Sequence, residues 1–207
     1  MRIDCALSFR LLLATLLSCS LAGCTGGAGN VHVYYLVNPV TVDEPIYRKE
    51  QPLAVEIMDL HIPQYLEKFQ IAVRDGENRL RYSEYNQWGE NLRKNLIRTM
   101  ARNLAAMLAT EDVGTPQNRS SSMPDYRLHM HIEQFERDQD ERVRLVARWQ
   151  LSDSKQPETL EMHSATLEGQ SEIRGSDYDS LVAEMQDLYG QLCQQIAESI
   201  RGHETGE

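Results

Sequence analysis

Residues 126–151 read YRLHMHIEQFERDQDERVRLVARWQL, and the period of this stretch decides the fold. Tyr126, Leu128, Met130 and Ile132 alternate with Arg127, His129, His131 and Glu133. After a polar break at Arg137-Asp138-Gln139-Asp140, Val143, Leu145, Ala147, Trp149 and Leu151 alternate with Arg144, Val146, Arg148 and Gln150. A period of two means two half-buried strands, and the short polar break makes them an antiparallel hairpin. Both apolar sets must share a face, so the numbers of paired residues must sum to an odd total. A turn centred on Asp138–Gln139 satisfies this and places Glu133 opposite Arg144.

Outward from the hairpin, Thr159–Glu172 reads as a third strand of the same meander. Upstream, Val31–Val37 is a β-branched and aromatic run, and Leu53–Leu60 alternates as a half-buried strand. Asn38 to Pro52, with Pro39 and Pro45, is a loop. Phe69–Arg74 and Asn78–Ser83 flank Asp75-Gly76-Glu77, a hairpin signal. Two stripes have a helical period instead. Trp88, Leu92, Leu96, Met100, Leu104 and Leu108 predict a long amphipathic helix over residues 86–109, with Arg93, Lys94, Arg98 and Arg102 off the stripe. Leu181, Met185, Leu188, Leu192, Ile196 and Ile200 predict a final helix, with Asp177 as its N-cap. Antiparallel strands with two long helices segregated to one face define an α+β two-layer sandwich.

The N-terminus is of another kind. Arg2 and Arg10 precede the apolar run Leu11–Leu17, which has the charge and length of a signal peptide and is too short to span a bilayer. Leu21-Ala22-Gly23-Cys24 looks like the bacterial lipoprotein signal: an aliphatic residue, two small ones, then the modified cysteine. Cys19 competes, but Leu17 two residues before it is bulky for a cleavage site. An ordinary secretory signal with an incidental cysteine is the alternative. With Cys24 as the first mature residue and its acyl chains as the anchor, Cys5 and Cys19 leave with the signal. Cys193 is then the sole free thiol. The chain divides accordingly into a signal peptide (1–23), a Gly-rich lipidated tether (24–30), one domain (31–201) and a polar tail (202–207). Thr25-Gly26-Gly27 lacks the aspartate that typically signals inner-membrane retention. By that resemblance the anchor belongs in the outer membrane, with the domain facing the periplasm.

Charge narrows the partners. The whole chain carries −10, and removal of Arg2, Arg10 and Asp4 with the signal takes this to −11. An acidic chain is repelled by anionic lipid and by nucleic acid, so the acyl chains rather than a basic patch must hold it at a membrane. Motifs for chemistry are sparse. His129 and His131 share a strand face, but the cross-strand neighbours expected from the register, Val146 and Arg148, supply no third metal ligand. A solvated strand face is the better reading. Gly169-Gln170-Ser171 begins a nucleophile elbow that fails at Ile173. Cys193 lies in the last helix beside its apolar stripe with no basic neighbour, which suits a buried thiol. No P-loop or dinucleotide fingerprint occurs. No catalytic residue, metal or cofactor is expected beyond the covalent lipid on Cys24, and the protein reads as a non-enzyme.

A more distinctive signature runs through Ile62-Pro63-Gln64-Tyr65-Leu66, Gln70-Ile71-Ala72-Val73-Arg74, Asn78-Arg79-Leu80 and Trp88-Gly89-Glu90-Asn91-Leu92. With Asp125-Tyr126-Arg127 and Ala147-Arg148-Trp149-Gln150-Leu151 it resembles the ABC-type transport auxiliary lipoproteins, the PqiC-like family, from about Tyr34 to Ile200. Glu67-Lys68-Phe69 departs from that family's pattern by lacking a proline. The resemblance implies a non-catalytic outer-membrane partner of an MCE-domain protein and its inner-membrane permease and ATPase or equivalent. Such systems move phospholipid between membranes. A structural lipoprotein bracing an unrelated outer-membrane assembly is the rival reading, and a periplasmic hydrolase a distant third. The domain is expected to act as a docking collar or adaptor, with a homo-oligomeric ring as one form of it. Residues 61–70 carry Ile62, Tyr65, Leu66 and Phe69, more apolar surface than a solvent loop needs, and form the candidate partner contact. Capping of the sheet is their alternative role.

Overall fold

The computed structural model describes residues 31–120, 123–154 and 160–205. The chain divides into two units, Met1–Val31 and His32–Glu207, and the second is the domain considered below. The signal peptide, the tether and Cys24 lie outside the described residues.

Among the described residues, eight strands form one open sheet: β1 (Val33–Tyr35), β2 (Val55–His61), β3 (Gln70–Arg74), β4 (Leu80–Trp88), β5 (Val113–Gly114), β6 (Tyr126–Arg137), β7 (Val143–Asp153) and β8 (Leu160–Glu168). The long β6–β7–β8 ladders are antiparallel, as is β3–β4. The far side of β6 is shared by two parallel neighbours. The first half of β6 pairs β2, and its end pairs β3 at Val73↔Arg137. From β3 the sheet continues through β4 to β1, which pairs parallel to β4 at the edge. Two helices, α1 (Leu92–Met107) and α2 (Tyr178–Thr205), complete the α+β fold.

The period-two apolar sets become the core. Leu128, Ile132, Leu145 and Ala147 are wholly buried against the helix stripes Leu96, Met100, Leu104 and Leu192, Ile196, Ile200. The helices are joined to each other at Tyr189, whose hydroxyl donates to the Leu96 carbonyl at 2.9 Å and whose ring stacks on Phe135. Gly190 lies beside it because a Cβ there would come within 2.5 Å of Val40 Cγ1. Asn91 caps α1, accepting from Lys94 N at 3.1 Å. Asp177 caps α2, accepting from Ser180 N at 3.0 Å, and that bond holds its carboxyl below the usual range.

Three sequence expectations are corrected in detail. The β6–β7 register sums to 279 from Tyr126↔Asp153 to Ile132↔Ala147, then to 280 from Gln134↔Val146 to Arg137↔Val143. The extra residue is Glu133, a bulge, so Glu136 and not Glu133 faces Arg144. The turn centres on Asp140, because Asp138 Oδ1 accepts from Asp140 N (2.9 Å) and Arg142 N (3.3 Å) and closes a longer loop. Next, residues 86–88 belong to β4. Trp88 N donates to Phe69 O at 2.7 Å, and that sheet bond holds Trp88 as the end of a strand, not the first rung of the helix. Lastly, α2 runs through Thr205 and takes in residues 202–205 of the stretch read as a polar tail; Tyr126 donates to Glu204 at 2.8 Å.

Candidate partner-contact site

The segment between β2 and β3 is a tight connection built on one 3-10 turn, Gln64–Glu67, which follows Pro63. Leu66 N donates to Pro63 O at 2.9 Å and closes it. The turn is needed because β2 and β3 run parallel along the same side of β6, so the chain leaves the sheet and returns a few residues on. Its side chains divide by depth. Leu66 is 3% exposed and is part of the core, which withdraws it from any contact surface. Ile62 and Tyr65 are partly buried and packed against that core. Phe69 is 56% exposed. Of the four apolar residues expected to meet a partner, Phe69 alone is largely open to one.

Tyr65 has a structural task as well. Its hydroxyl donates to Glu136 Oε2 at 2.7 Å, while Arg74 Nε and Nη2 reach Glu136 Oε1 at 3.1 and 2.9 Å. The Glu136 side chain is fully inaccessible, so this fork and the phenol compensate a buried carboxylate. Burial, and then the neighbouring carboxylate, push the Tyr65 phenol well above its ordinary pKa. A buried phenol–carboxylate–guanidinium cluster of this kind often marks an active site. Here each group is spent on another, and the arrangement reads as a clamp from the turn to β6.

Around the turn, Glu67 accepts from Asn91 Nδ2 at 2.6 Å and Arg93 Nε at 2.8 Å, which ties the turn to the start of α1. Lys68 Nζ sits 4.2 Å from the centre of the Tyr82 ring. Gln64, Tyr65, Glu67, Lys68 and Tyr82 line an open cavity of about 430 Å³. A larger one, about 530 Å³, lies between α1 and β5. Ile97, Ala101, Ala105 and Val113 line it together with Lys94, Arg98, Arg102 and Glu111.

The histidine face differs from the sequence expectation. His129 and His131 meet Gln150 and Arg148 on β7, not Arg148 and Val146, because of the register. On the other side β2 brings Asp59 beside His129 and His61 beside His131. His129 Nδ1 lies 3.1 Å from Asp59 Oδ2, and His61 Nε2 lies 3.7 Å from the same oxygen. The β2–β6 pairing is parallel and separated by a whole helix in sequence, so no local pattern announces it. Among the described residues, no three His, Cys, Asp or Glu side chains are arranged to hold a metal ion. Cys193 is wholly buried; burial pushes its thiol up to about 12, and Asn103 Nδ2 lies 3.5 Å from Sγ. A thiol so protonated is a poor nucleophile.

These features define an α+β domain with a tight clamped turn between β2 and β3. The family model for the ABC-type transport auxiliary lipoprotein component matches residues 34–197, and the chain belongs to that family. Among solved structures, an uncharacterized protein aligns with a TM-score of 0.63 and 19% identity, covering 82% of this chain and 99% of its own. A protein from Xanthomonas campestris aligns with a TM-score of 0.59 and 13% identity, covering 86% and 97%. At such identities the likeness is one of fold. No curated protein matches the chain significantly.

Proposed function

We propose that the protein is an outer-membrane lipoprotein, anchored through acyl chains on Cys24 and facing the periplasm. In this reading it is a non-catalytic docking subunit of an MCE-type phospholipid transport system. The observation that carries this reading is the family match across residues 34–197, nearly the whole domain, downstream of a lipoprotein-like signal. The partners are an MCE-domain protein and, through it, an inner-membrane permease and ATPase or equivalent. A docking role, not that of a lipid carrier, is supported by where the apolar surface goes. Both helix stripes are spent on the sheet, and the 530 Å³ cavity has five charged residues in its lining, Glu90, Lys94, Arg98, Arg102 and Glu111. Among the described residues no helix is long and apolar enough to cross a membrane, so attachment rests on the lipid.

Two outcomes test it. Cys24→Ala should abolish incorporation of a labelled fatty acid, with Cys19 unable to take its place. Label that persists in the variant would move the anchor elsewhere. Phe69→Ala should weaken co-purification of the MCE-domain protein several-fold while leaving the melting temperature within about 2 °C, since an exposed side chain contributes little to folding. Undiminished capture would remove Phe69 from the contact. Failure to recover any MCE-domain protein with the wild-type chain would favour the bracing of an unrelated outer-membrane assembly.

A further inference from the structure

We propose that the edge strand β1 and the residues beside it lie against the bilayer surface, as a second membrane contact beyond the acyl chains. The proposal rests on the anchoring of Cys24 given above. Three large apolar side chains are exposed within four residues: Val33 (43%), Tyr34 (64%) and Leu36 (39%). The domain's other large apolar residues open to solvent, Phe69, Met123 and Met162, are scattered in sequence. An exposed uncharged edge is a liability that proteins usually blunt with lysine, proline or a covering element. β1 is short and carries no lysine or proline within Val33–Tyr35.

The sequence says what covers it. Val31 stands seven positions after Cys24, so fully extended chain holds it within roughly 25 Å of the lipidated residue. From Cys24 to Val42 there is no Asp, Glu, Lys or Arg, although the chain has 31 acidic and 21 basic residues. The first carboxylate after the tether is Asp43. A strongly acidic domain that keeps charge off the stretch tethered nearest the membrane can bring that stretch against lipid without paying to desolvate a charge. Tyr34 suits such a position, with an apolar ring and a hydroxyl that stays wet. β8 lies at the opposite edge of the sheet, so the same orientation turns Met162 away from the bilayer.

The experiment uses the mature, lipidated full chain in vesicles of phosphatidylethanolamine and phosphatidylglycerol, with and without brominated acyl chains. A polarity-sensitive fluorophore is placed at Tyr34→Cys or, as control, at Met162→Cys; Cys193 is buried and stays unlabelled. The probe at residue 34 should shift to the blue and lose at least half its emission to bromolipid, while the probe at 162 should do neither. Equal, aqueous emission at both sites in vesicle-bound protein overturns the second contact and leaves the anchor intact. A blue shift at 34 without bromine quenching overturns it in favour of a second copy of the chain covering β1. Protein that fails to sediment with vesicles at all removes the anchor and, with it, this contact.

Discussion

Leu96→Asp is expected to cost about 4 kcal/mol or more, a large part of the stability of an ordinary domain. Leu96 is wholly inaccessible, in the middle of α1, beside the point where Tyr189 bonds its carbonyl from α2. An aspartate there has no partner and no water. The control is Arg98→Ala, two residues on. Arg98 forks onto Glu90, but its side chain is 50% exposed, and removal of such a pair costs about 0.2–1 kcal/mol. Urea unfolding followed by circular dichroism separates the two, and equal midpoints would show that α1 does not pack through this face.

The second large effect concerns Glu136. Arg74→Met should destabilise by about 3–5 kcal/mol, since it leaves a carboxylate with no solvent access and no cation, held only by the Tyr65 hydroxyl and the Phe135 N–H. Tyr65→Phe should cost less, about 1–3 kcal/mol, because the guanidinium fork persists. The sign of the coupling is the decisive part. Arg74→Met combined with Glu136→Met should be more stable than Arg74→Met alone, because the buried charge goes with its partner. If the double variant is the less stable of the two, Glu136 is not an uncompensated charge in the single one. The same cluster explains why Tyr65 is a poor probe of partner binding. Its substitution would lower stability and capture together, whereas Phe69 reports on the surface.

Much of this architecture could be read from side-chain period, and the reason is local. Leu128, Ile132, Leu145 and Ala147 repeat every second residue, Leu92 to Leu108 every fourth, and each pattern needs a buried face to satisfy it. The caps Asn91 and Asp177 act within three residues of themselves. Ile62 and Leu66 were readable as apolar but not as exposed or buried, because one apolar residue in a short turn satisfies a core and a partner equally well. The bulge at Glu133 shifts the phase of the alternation, from Tyr126, Leu128, Met130 and Ile132 to Phe135, but Phe135 is the one large apolar residue that follows it in β6, too little for the shift to stand out in the sequence.

What the sequence determined by itself is the charge balance, the two amphipathic helices and the strand meander, since composition and local period are enough for each. The tertiary structure alone decided which strands share β6. It placed Asp59 and His61 beside His129 and His131, and Tyr65 and Arg74 over Glu136. Those contacts span 62 to 71 residues and are fixed by parallel pairing, which leaves no periodic trace because the two strands meet only after the chain between them has folded. The same holds for the edge. That β1 is neutral can be read directly from Val31–Val42, but that it lies at the edge, with its apolar side chains uncovered, follows from β4 taking it as the last strand of the sheet.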